Sequence, residues 1–225
     1  MADRVKLTRT LTTGRIVDEA MRMADKAGIE ALSLRQLASR LGVTPMAIYY
    51  YVRNKDELLD LMADRLVSEI QADNELSSST WQEELRRVGE RYLAVITAHP
   101  AAPFLLSRPF HSPAARKVSE RMLDILARAG FEPRTAMRLL QVSTGLLLGP
   151  PLHRAVYAAA RERSIGNARR LMARDPIDRS GSPQVATGGQ SSWITASEAD
   201  RLTIELWLAA VEGLAKRQEG RDRRR

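Results

Sequence analysis

Residues 33–55 carry side chains whose types and spacing suit contacts with double-stranded DNA. Small residues and tyrosines occupy the middle of this segment, and basic residues flank it on both sides. Small side chains allow close approach to base edges in the major groove and can meet thymine methyl groups there. Lysine and arginine neutralise phosphates, and arginine can read a guanine through two hydrogen bonds. The segment is therefore predicted to read DNA.

Two short helices joined by a tight turn would position these side chains. Ser33 is expected to cap the first helix and Gly42 to end it, because glycine readily adopts the left-handed conformation at helix ends. Thr44 is expected to cap the second helix, with Pro45 at its first position, and Asn54 begins a third helix. A plain helical hairpin in an all-α core is the alternative. Tyrosines on so short a helix and the flanking basic residues favour DNA binding.

The expected helical positions assign a role to each candidate residue. The side chains predicted to face the groove are Pro45, Met46, Ala47 and Tyr49. Those predicted to contact the phosphate backbone are Tyr50, Tyr51 and Lys55, while Thr44 caps the helix and touches a phosphate. Arg35 is the best candidate for reading a guanine. The predicted DNA-binding set is Ser33, Arg35, Thr44, Pro45, Met46, Ala47, Tyr49, Tyr50, Tyr51 and Lys55.

The run LGVTPMAIYYYVRNKDELLDLM resembles the DNA-binding signature of the TetR family of bacterial transcription regulators. The preceding run TGRIVDEAMRMADKAG resembles that family's first helix. Later parts of the chain resemble the regulatory domain of the tetracycline-repressor type. The residues that carry this resemblance are Trp81-Gln82, Arg108-Pro109, Ala129-Gly130-Phe131, Leu148-Gly149 and the ending IELWLAAVEGLAKRQ. The resemblance implies an all-α fold, with a three-helix helix-turn-helix DNA-binding domain at residues 10–72 and a regulatory domain at 79–218. It also implies a homodimer through the last two long helices and a small-molecule pocket among the other helices of the regulatory domain.

The expected pocket departs from the tetracycline-repressor pattern, in which a histidine helps to hold a magnesium–tetracycline chelate. Alignment on the motifs above places Phe104 at about that histidine, and Val88, Tyr92 and Met122 near other polar drug contacts. A phenyl group cannot ligate magnesium. Neither magnesium nor tetracycline is therefore expected, and no cofactor is predicted. The small-molecule effector is expected to be more apolar, such as an aromatic or polyketide-like compound.

The candidate ligand-binding residues are mostly apolar, and ordinary core packing is the alternative for each apolar member. His111 and His153 are proposed as polar anchors. The full set is Tyr92, Phe104, Leu105, Phe110, His111, Met122, Met137, Gln141, Thr144, Leu148 and His153.

Composition and charge agree with a globular DNA-binding protein. The 225-residue chain is 44% hydrophobic and has no cysteine, which excludes disulfides and thiolate metal sites. Its formal net charge is +8, and residues 1–55 hold ten Lys and Arg against five Asp and Glu. The positive surplus therefore lies mainly around the predicted DNA-reading segment. No apolar signal core or membrane-length run is present, so a soluble, cytoplasmic protein with no membrane partner is expected.

Periodicity and breaks predict further helices along nearly all of the chain. These are expected at about Lys55–Asp73, from Ser79 or Thr80 to His99, Phe104–Leu106, Ser112–Gly130, from Pro133 onward, and Thr195–Gln218. Gly149-Pro150-Pro151 should kink or end the helix in which it lies. Residues 75–79 are a polar break, and residues 175–192 are expected to form a mobile loop. The last helix has an apolar face broader than one chain needs, so it is expected to pack against a second copy.

No catalytic constellation is found. The three histidines lack metal-ligand spacing, and there is neither a nucleophile elbow nor a glycine-rich phosphate loop. The sequence thus predicts a non-enzymatic dimeric repressor that releases a palindromic operator when an apolar ligand binds. The alternatives are a DNA-binding regulator without a ligand, and a small-molecule enzyme or carrier with a vestigial DNA-binding domain. Repression and activation are not distinguished by the sequence.

Overall fold

The computed structural model describes residues 11–71, 80–110, 112–171 and 195–222. Within these ranges the chain forms nine α-helices and one short 3-10 helix, with no strand. The α-helices are α1 (Thr13–Ala27), α2 (Leu34–Leu41), α3 (Pro45–Tyr49), α4 (Lys55–Gln71), α5 (Trp81–Ala98), α6 (Ala102–Leu106), α7 (Pro113–Arg128), α8 (Pro133–Leu171) and α9 (Ala196–Asp222). The predicted all-α fold class is confirmed. None of the helices in these ranges combines the length and apolarity that a membrane crossing needs.

Local backbone chemistry places the first short helices where the sequence predicts them. The Ser33 hydroxyl accepts a hydrogen bond from the Gln36 amide at 3.3 Å, which caps α2. Gly42 ends α2 with a φ of 67°, a left-handed conformation that glycine adopts without a steric penalty. Thr44 caps α3 through the Ala47 amide at 3.3 Å. The turn between α2 and α3 therefore has the geometry of a helix-turn-helix motif.

Helix α8 continues through Pro150 and Pro151 to Leu171 instead of ending at them. Each proline lacks an amide hydrogen, so each removes one helical hydrogen bond. Leu148 and Pro151 are buried, and Leu152 packs against the same hydrophobic core. Packing on both sides of the prolines thus outweighs the lost hydrogen bonds. The predicted polar break at 75–79 and the predicted loop at 175–192 lie outside the described residues.

A continuous hydrophobic core joins the head, which we define as α1–α3, to the body, α5–α9. The head contributes side chains such as Ile16, Leu37 and Ile48, and the linking helix α4 contributes its apolar stripe. The body contributes to the same core, with Val95, Ile96, Ala101, Ala102, Leu105 and Leu148. A rearrangement in the body can therefore reach the head through direct packing.

His99 adds a polar link at the junction between head and body. It ends α5, as the sequence predicts, and its Nδ1 lies 2.9 Å from Asp25 Oδ2 on α1. Its Nε2 lies 3.4 Å from Glu69 Oε2 on α4. The Ala101 amide donates to Asp25 Oδ1 at 3.0 Å. These contacts fasten the end of α5 to both the head and the linking helix.

A second core lies inside the body, where α5, α7, α8 and α9 meet. Glu84 is almost fully buried and accepts two hydrogen bonds from Arg128, at 2.7 and 2.6 Å. These hydrogen bonds, with the arginine charge, hold the pKa of Glu84 below its usual range. Trp207 Nε1 donates to the Ser143 hydroxyl at 2.8 Å. A Cβ atom at Gly89 would lie 2.6 Å from the Trp207 ring, so only glycine lets α5 approach α9 this closely.

Candidate DNA interface and ligand cavity

Helix α3 presents a short, uncharged face to solvent. Met46, Tyr49 and Tyr50 are 66%, 49% and 84% exposed, although all three are large hydrophobic residues. Ile48 is fully buried and anchors the helix in the core of the head. Exposed large apolar side chains on a firmly anchored helix are unfavourable in water unless they meet a partner. Their placement fits a helix that enters a major groove.

Ala47 does not face the groove, which corrects one sequence-based assignment. It is only 7% exposed and packs in the head core beside Ile48. In a helix of five residues, the side that carries Ala47 and Ile48 must point inward to hold the helix in place. The outward side therefore consists of Pro45, Met46 and Tyr49.

Tyr51 and Lys55 use polar atoms to hold the head together. The Tyr51 hydroxyl donates to the Leu11 carbonyl at 2.9 Å, and Lys55 Nζ donates to the Ile29 carbonyl at 2.9 Å. Both polar groups thus bind backbone carbonyls within the head. Their contacts with phosphates stay predictions. Arg35 is exposed near the start of α2, as a base-reading side chain requires.

Arg53 was not among the predicted contacts, but it lies exposed beside the same surface. Its side chain is 86% exposed, and its Nε lies 3.2 Å from Glu57 Oε2. Hydrogen bonds from Arg53 hold the pKa of Glu57 below its usual range. The Glu57 carboxylate is therefore ionised beside the Arg53 guanidinium. The sequence signal for this pairing is the i, i+4 spacing of the two residues.

An apolar, partly open cavity of about 130 Å³ lies in the body next to helix α4. It is bounded by α4, α5, α7, α8 and the end of α6 with the segment that follows it. The lining residues are Val67, Ile70, Val88, Tyr92, Leu106, Phe110, Ala115, Val118, Ser119, Met122, Leu140, Ser143, Thr144 and Leu147. No charged side chain is among them.

Four of the predicted ligand residues line this cavity, namely Tyr92, Phe110, Met122 and Thr144. Leu105 does not line the cavity, because it is fully buried in the core shared by head and body. Leu148 belongs to the same core, and Phe104 does not reach the cavity wall. The side chains that face outward instead are Met137, Gln141 and His153, the last with its ring centroid 4.3 Å from that of Tyr157. His111 lies outside the described residues.

Sequence reasoning missed the contributions of α4 and of two serines to the cavity. Val67 and Ile70 belong to the apolar stripe of α4, which is also the pattern of ordinary core. Ser119 and Ser143 also line the wall, and Ser143 is almost fully buried. A serine on an otherwise apolar helix face is the sequence signal that could have found these two residues.

The cavity offers a neutral molecule a few hydrogen-bonding groups in an apolar surrounding. Burial raises the pKa of the Tyr92 phenol, so this group stays protonated and can donate a hydrogen bond. The Thr144 hydroxyl donates to the Leu140 carbonyl at 3.0 Å, which leaves its oxygen free to accept. Among the residues described, no group of three or more His, Asp or Glu side chains could hold a metal ion. The wall chemistry suits an apolar ligand with one or two polar groups.

Helices α8 and α9 carry an exposed apolar surface, which we call the α8–α9 face. On α8 it consists of Val142, Leu146, Val156 and Tyr157, and on α9 of Leu202, Leu206 and Leu214. These side chains are between 40% and 66% exposed. A single chain rarely leaves so many large apolar side chains together in water.

Comparison with known proteins gives the family. Residues 16–62 match the model for bacterial regulatory proteins of the tetR family, and residues 75–173 match the tetracyclin repressor-like C-terminal domain. The chain belongs to the TetR family. This confirms the family resemblance carried by the DNA-reading motif.

Individual relatives agree with this assignment. The HTH-type transcriptional repressor DrrR1 of Streptomyces coeruleorubidus is 32% identical over 161 residues, which cover 70% of this chain and 58% of that repressor. This chain thus spans less than two thirds of the length of that relative. Apo ActR from Streptomyces coelicolor has the same fold, with a TM-score of 0.69 and 23% identity over 92% of this chain and 98% of ActR. ActR bound to actinorhodin has a TM-score of 0.67 and 22% identity, covering 90% of this chain and 95% of ActR.

Proposed function

We propose that this TetR-family protein is a dimeric, cytoplasmic repressor that binds a pseudo-palindromic DNA operator. It releases the operator when a neutral, largely apolar aromatic molecule occupies the cavity beside α4. The observation that carries the proposal is that α4 both follows the exposed α3 and forms part of the cavity wall through Val67 and Ile70. One helix thus connects the proposed DNA-binding surface with the proposed ligand site.

The α8–α9 face supports the dimer. Its leucine, valine and tyrosine side chains would be removed from water by an identical face on a second chain. A two-fold dimer presents two copies of α3, which suits half-sites about 34 Å apart in successive major grooves. A pseudo-palindromic operator follows from that symmetry.

The cavity supports an apolar aromatic effector. Its volume of about 130 Å³ is below the roughly 300 Å³ at which drug-sized ligand sites begin, so binding has to enlarge it. That enlargement is what would distinguish the ligand-bound state from the DNA-bound state. Tyr92 provides a neutral donor in an apolar wall, which suits the carbonyl and hydroxyl groups of fused-ring aromatics. The complex of ActR with actinorhodin supports an effector of this class.

The test begins with selection of bound duplexes from a randomised DNA library by the purified protein. Selected duplexes should contain inverted repeats. Actinorhodin and minocycline then serve as probes in a titration of the protein–duplex complex. We expect actinorhodin to lower operator affinity at concentrations where it binds the free protein, because both equilibria are linked. A probe that binds the protein without changing operator affinity would leave only the DNA-binding part of the proposal.

Arg35 and Tyr50 should have different roles at the operator. Arg35→Ala should cost about 1–3 kcal/mol of binding on the selected duplex and relax base preference at one half-site position, because a bidentate contact to guanine is lost. Tyr50→Ala should weaken matched and mismatched duplexes by the same factor, because a phosphate contact carries no sequence information.

Fluorescence anisotropy with matched and single-mismatch duplexes measures both effects. Arg116→Ala is the control, since it removes the same charge from an exposed site on α7, away from the head. Equal behaviour of the Arg35 and Tyr50 variants on both kinds of duplex would refute this division of roles.

A further inference from the structure

Arg108 lies between two residues of the cavity wall and reaches the helix that leads to the DNA interface. Leu106 precedes it by two residues and Phe110 follows it by two, and both line the cavity. Its guanidinium points away from the cavity and contacts the first turns of α4. Nη2 lies 3.3 Å from Asp56 Oδ1, and Nη1 lies 3.6 Å from Asp60 Oδ1.

The contact with Asp60 is incomplete. Asp60 Oδ1 and Arg108 Nη1 are shielded from solvent, and neither has a hydrogen-bond partner among the described residues. At 3.6 Å the two atoms attract each other as charges but lie beyond hydrogen-bond distance. A movement of roughly half an ångström would close the hydrogen bond, whereas a movement apart would leave two shielded polar groups further from any partner. The pair is therefore sensitive to small displacements of Arg108.

Helix α4 contacts Arg108 at its beginning and lines the cavity near its end. Asp56 and Asp60 lie at its beginning, one and five residues after Lys55, while Val67 and Ile70 lie near its end. Helix α3 ends at Tyr49, so the Arg108 contacts are close in sequence to the DNA-reading surface. His99 contacts Glu69 near the other end of α4. The segment 99–108 thus contacts the linking helix at both ends.

We propose that Arg108, acting through Asp56 and Asp60, couples occupancy of the cavity to the position of the head. The inference rests on the proposed function and names the residue that transmits the signal. A ligand that enlarges the cavity toward Leu106 and Phe110 displaces both residues, and Arg108 lies between them in the chain. The distances from Arg108 to Asp56 and Asp60 then change, and the beginning of α4 shifts with them. This shift changes the orientation of α3. Arg108 is a positioning residue because it does not line the cavity and acts through Asp56 and Asp60.

The experiment uses a side chain as a surrogate ligand, so that it does not depend on the identity of the effector. Ser119 lines the cavity, and Ser119→Leu and Ser119→Phe fill it to two extents. Each filling substitution is combined with wild-type Arg108 and with Arg108→Gln. Affinity for the selected operator duplex is measured for all combinations, together with the melting temperature and the dimer content of each variant.

We expect filling to lower operator affinity about tenfold when Arg108 is present, and by less than about threefold in Arg108→Gln. The readout is the non-additivity of the filling substitution and Arg108→Gln. If Arg108→Gln only damaged the structure, it would weaken operator binding without changing the effect of filling. Arg116→Gln, which removes a charge from an exposed pair with Glu120 on α7, should leave the full tenfold effect.

Two outcomes overturn the proposal in distinguishable ways. If filling lowers operator affinity equally with Arg108 and with Arg108→Gln, Arg108 does not transmit the signal, while the proposed function stands. If neither folded filling variant changes operator affinity in the wild-type background, cavity occupancy is not coupled to the head, and the proposed function fails together with this inference. The melting temperature and dimer content of each variant show which comparisons are made on a folded dimer.

Discussion

Leu206→Asp is expected to separate the dimer and to lower operator affinity by at least about 100-fold. Leu206 is 60% exposed in the α8–α9 face, where the proposed dimer would bury it. An unpaired carboxylate in an apolar interface loses its hydration without gaining a partner, which is strongly unfavourable. A monomer holds one α3 and contacts one half-site, so it loses the contacts of the second half. The isolated chain should keep its fold, because Leu206 contributes to neither internal core.

Sedimentation equilibrium measures the dimer content, and anisotropy with the selected duplex measures operator affinity. Ala127→Asp is the matched control, because it introduces the same charge at an exposed position of α7. It should leave both quantities at their wild-type values. A Leu206→Asp protein that remains dimeric and binds the operator normally would show that the α8–α9 face is not the dimer interface.

Leu105→Ala is expected to lower the free energy of unfolding by about 2–5 kcal/mol. Leu105 is fully buried in the core that joins head and body, so its truncation removes packing and leaves a void. Loss of this side chain should weaken head and body together, because both contribute to the same core. Urea denaturation followed by far-ultraviolet circular dichroism measures the effect on the whole chain, and tryptophan fluorescence, to which the head contributes no tryptophan, reports on the rest of the chain.

Phe110→Ala is the comparison that separates core from cavity. Phe110 is only partly buried and lines the cavity, so its truncation should cost less stability and should weaken binding of actinorhodin. Leu105→Ala should leave that binding unchanged at temperatures where the protein is folded. If Leu105→Ala instead lost ligand binding and kept its stability, Leu105 would be a ligand-binding residue.

Much of the head could be predicted because its signals are local. A serine or threonine cap, a glycine that must adopt a left-handed conformation and a proline at a helix start each act within about one helical turn. Ser33, Gly42 and Thr44 therefore mark the ends of α2 and α3 in the sequence as they do in the structure. The exposed tyrosines on α3 follow from the same local reading, because a five-residue helix has room for only one buried side.

The cavity could be predicted only in part, because helical periodicity separates inward from outward faces but does not distinguish a cavity wall from a filled core. Tyr92 and Phe110 line the cavity, while Leu105, of the same apolar character, packs against the head. Met137 has the spacing of a buried residue but is 46% exposed. Whether an apolar side chain lines a cavity depends on how helices that are distant in sequence pack across one another.

The sequence by itself determined the family, the all-α fold, the helix-turn-helix and the absence of a histidine at Phe104, since these depend on residue identity and local backbone chemistry. Only the tertiary structure decided that Ala47 points inward and that α8 continues through Pro150 and Pro151. It alone placed Arg108 against Asp56 and Asp60, about 50 residues earlier in the chain. The physical reason is that burial and ion pairing depend on distances between elements, which packing of the whole chain sets and no local pattern contains.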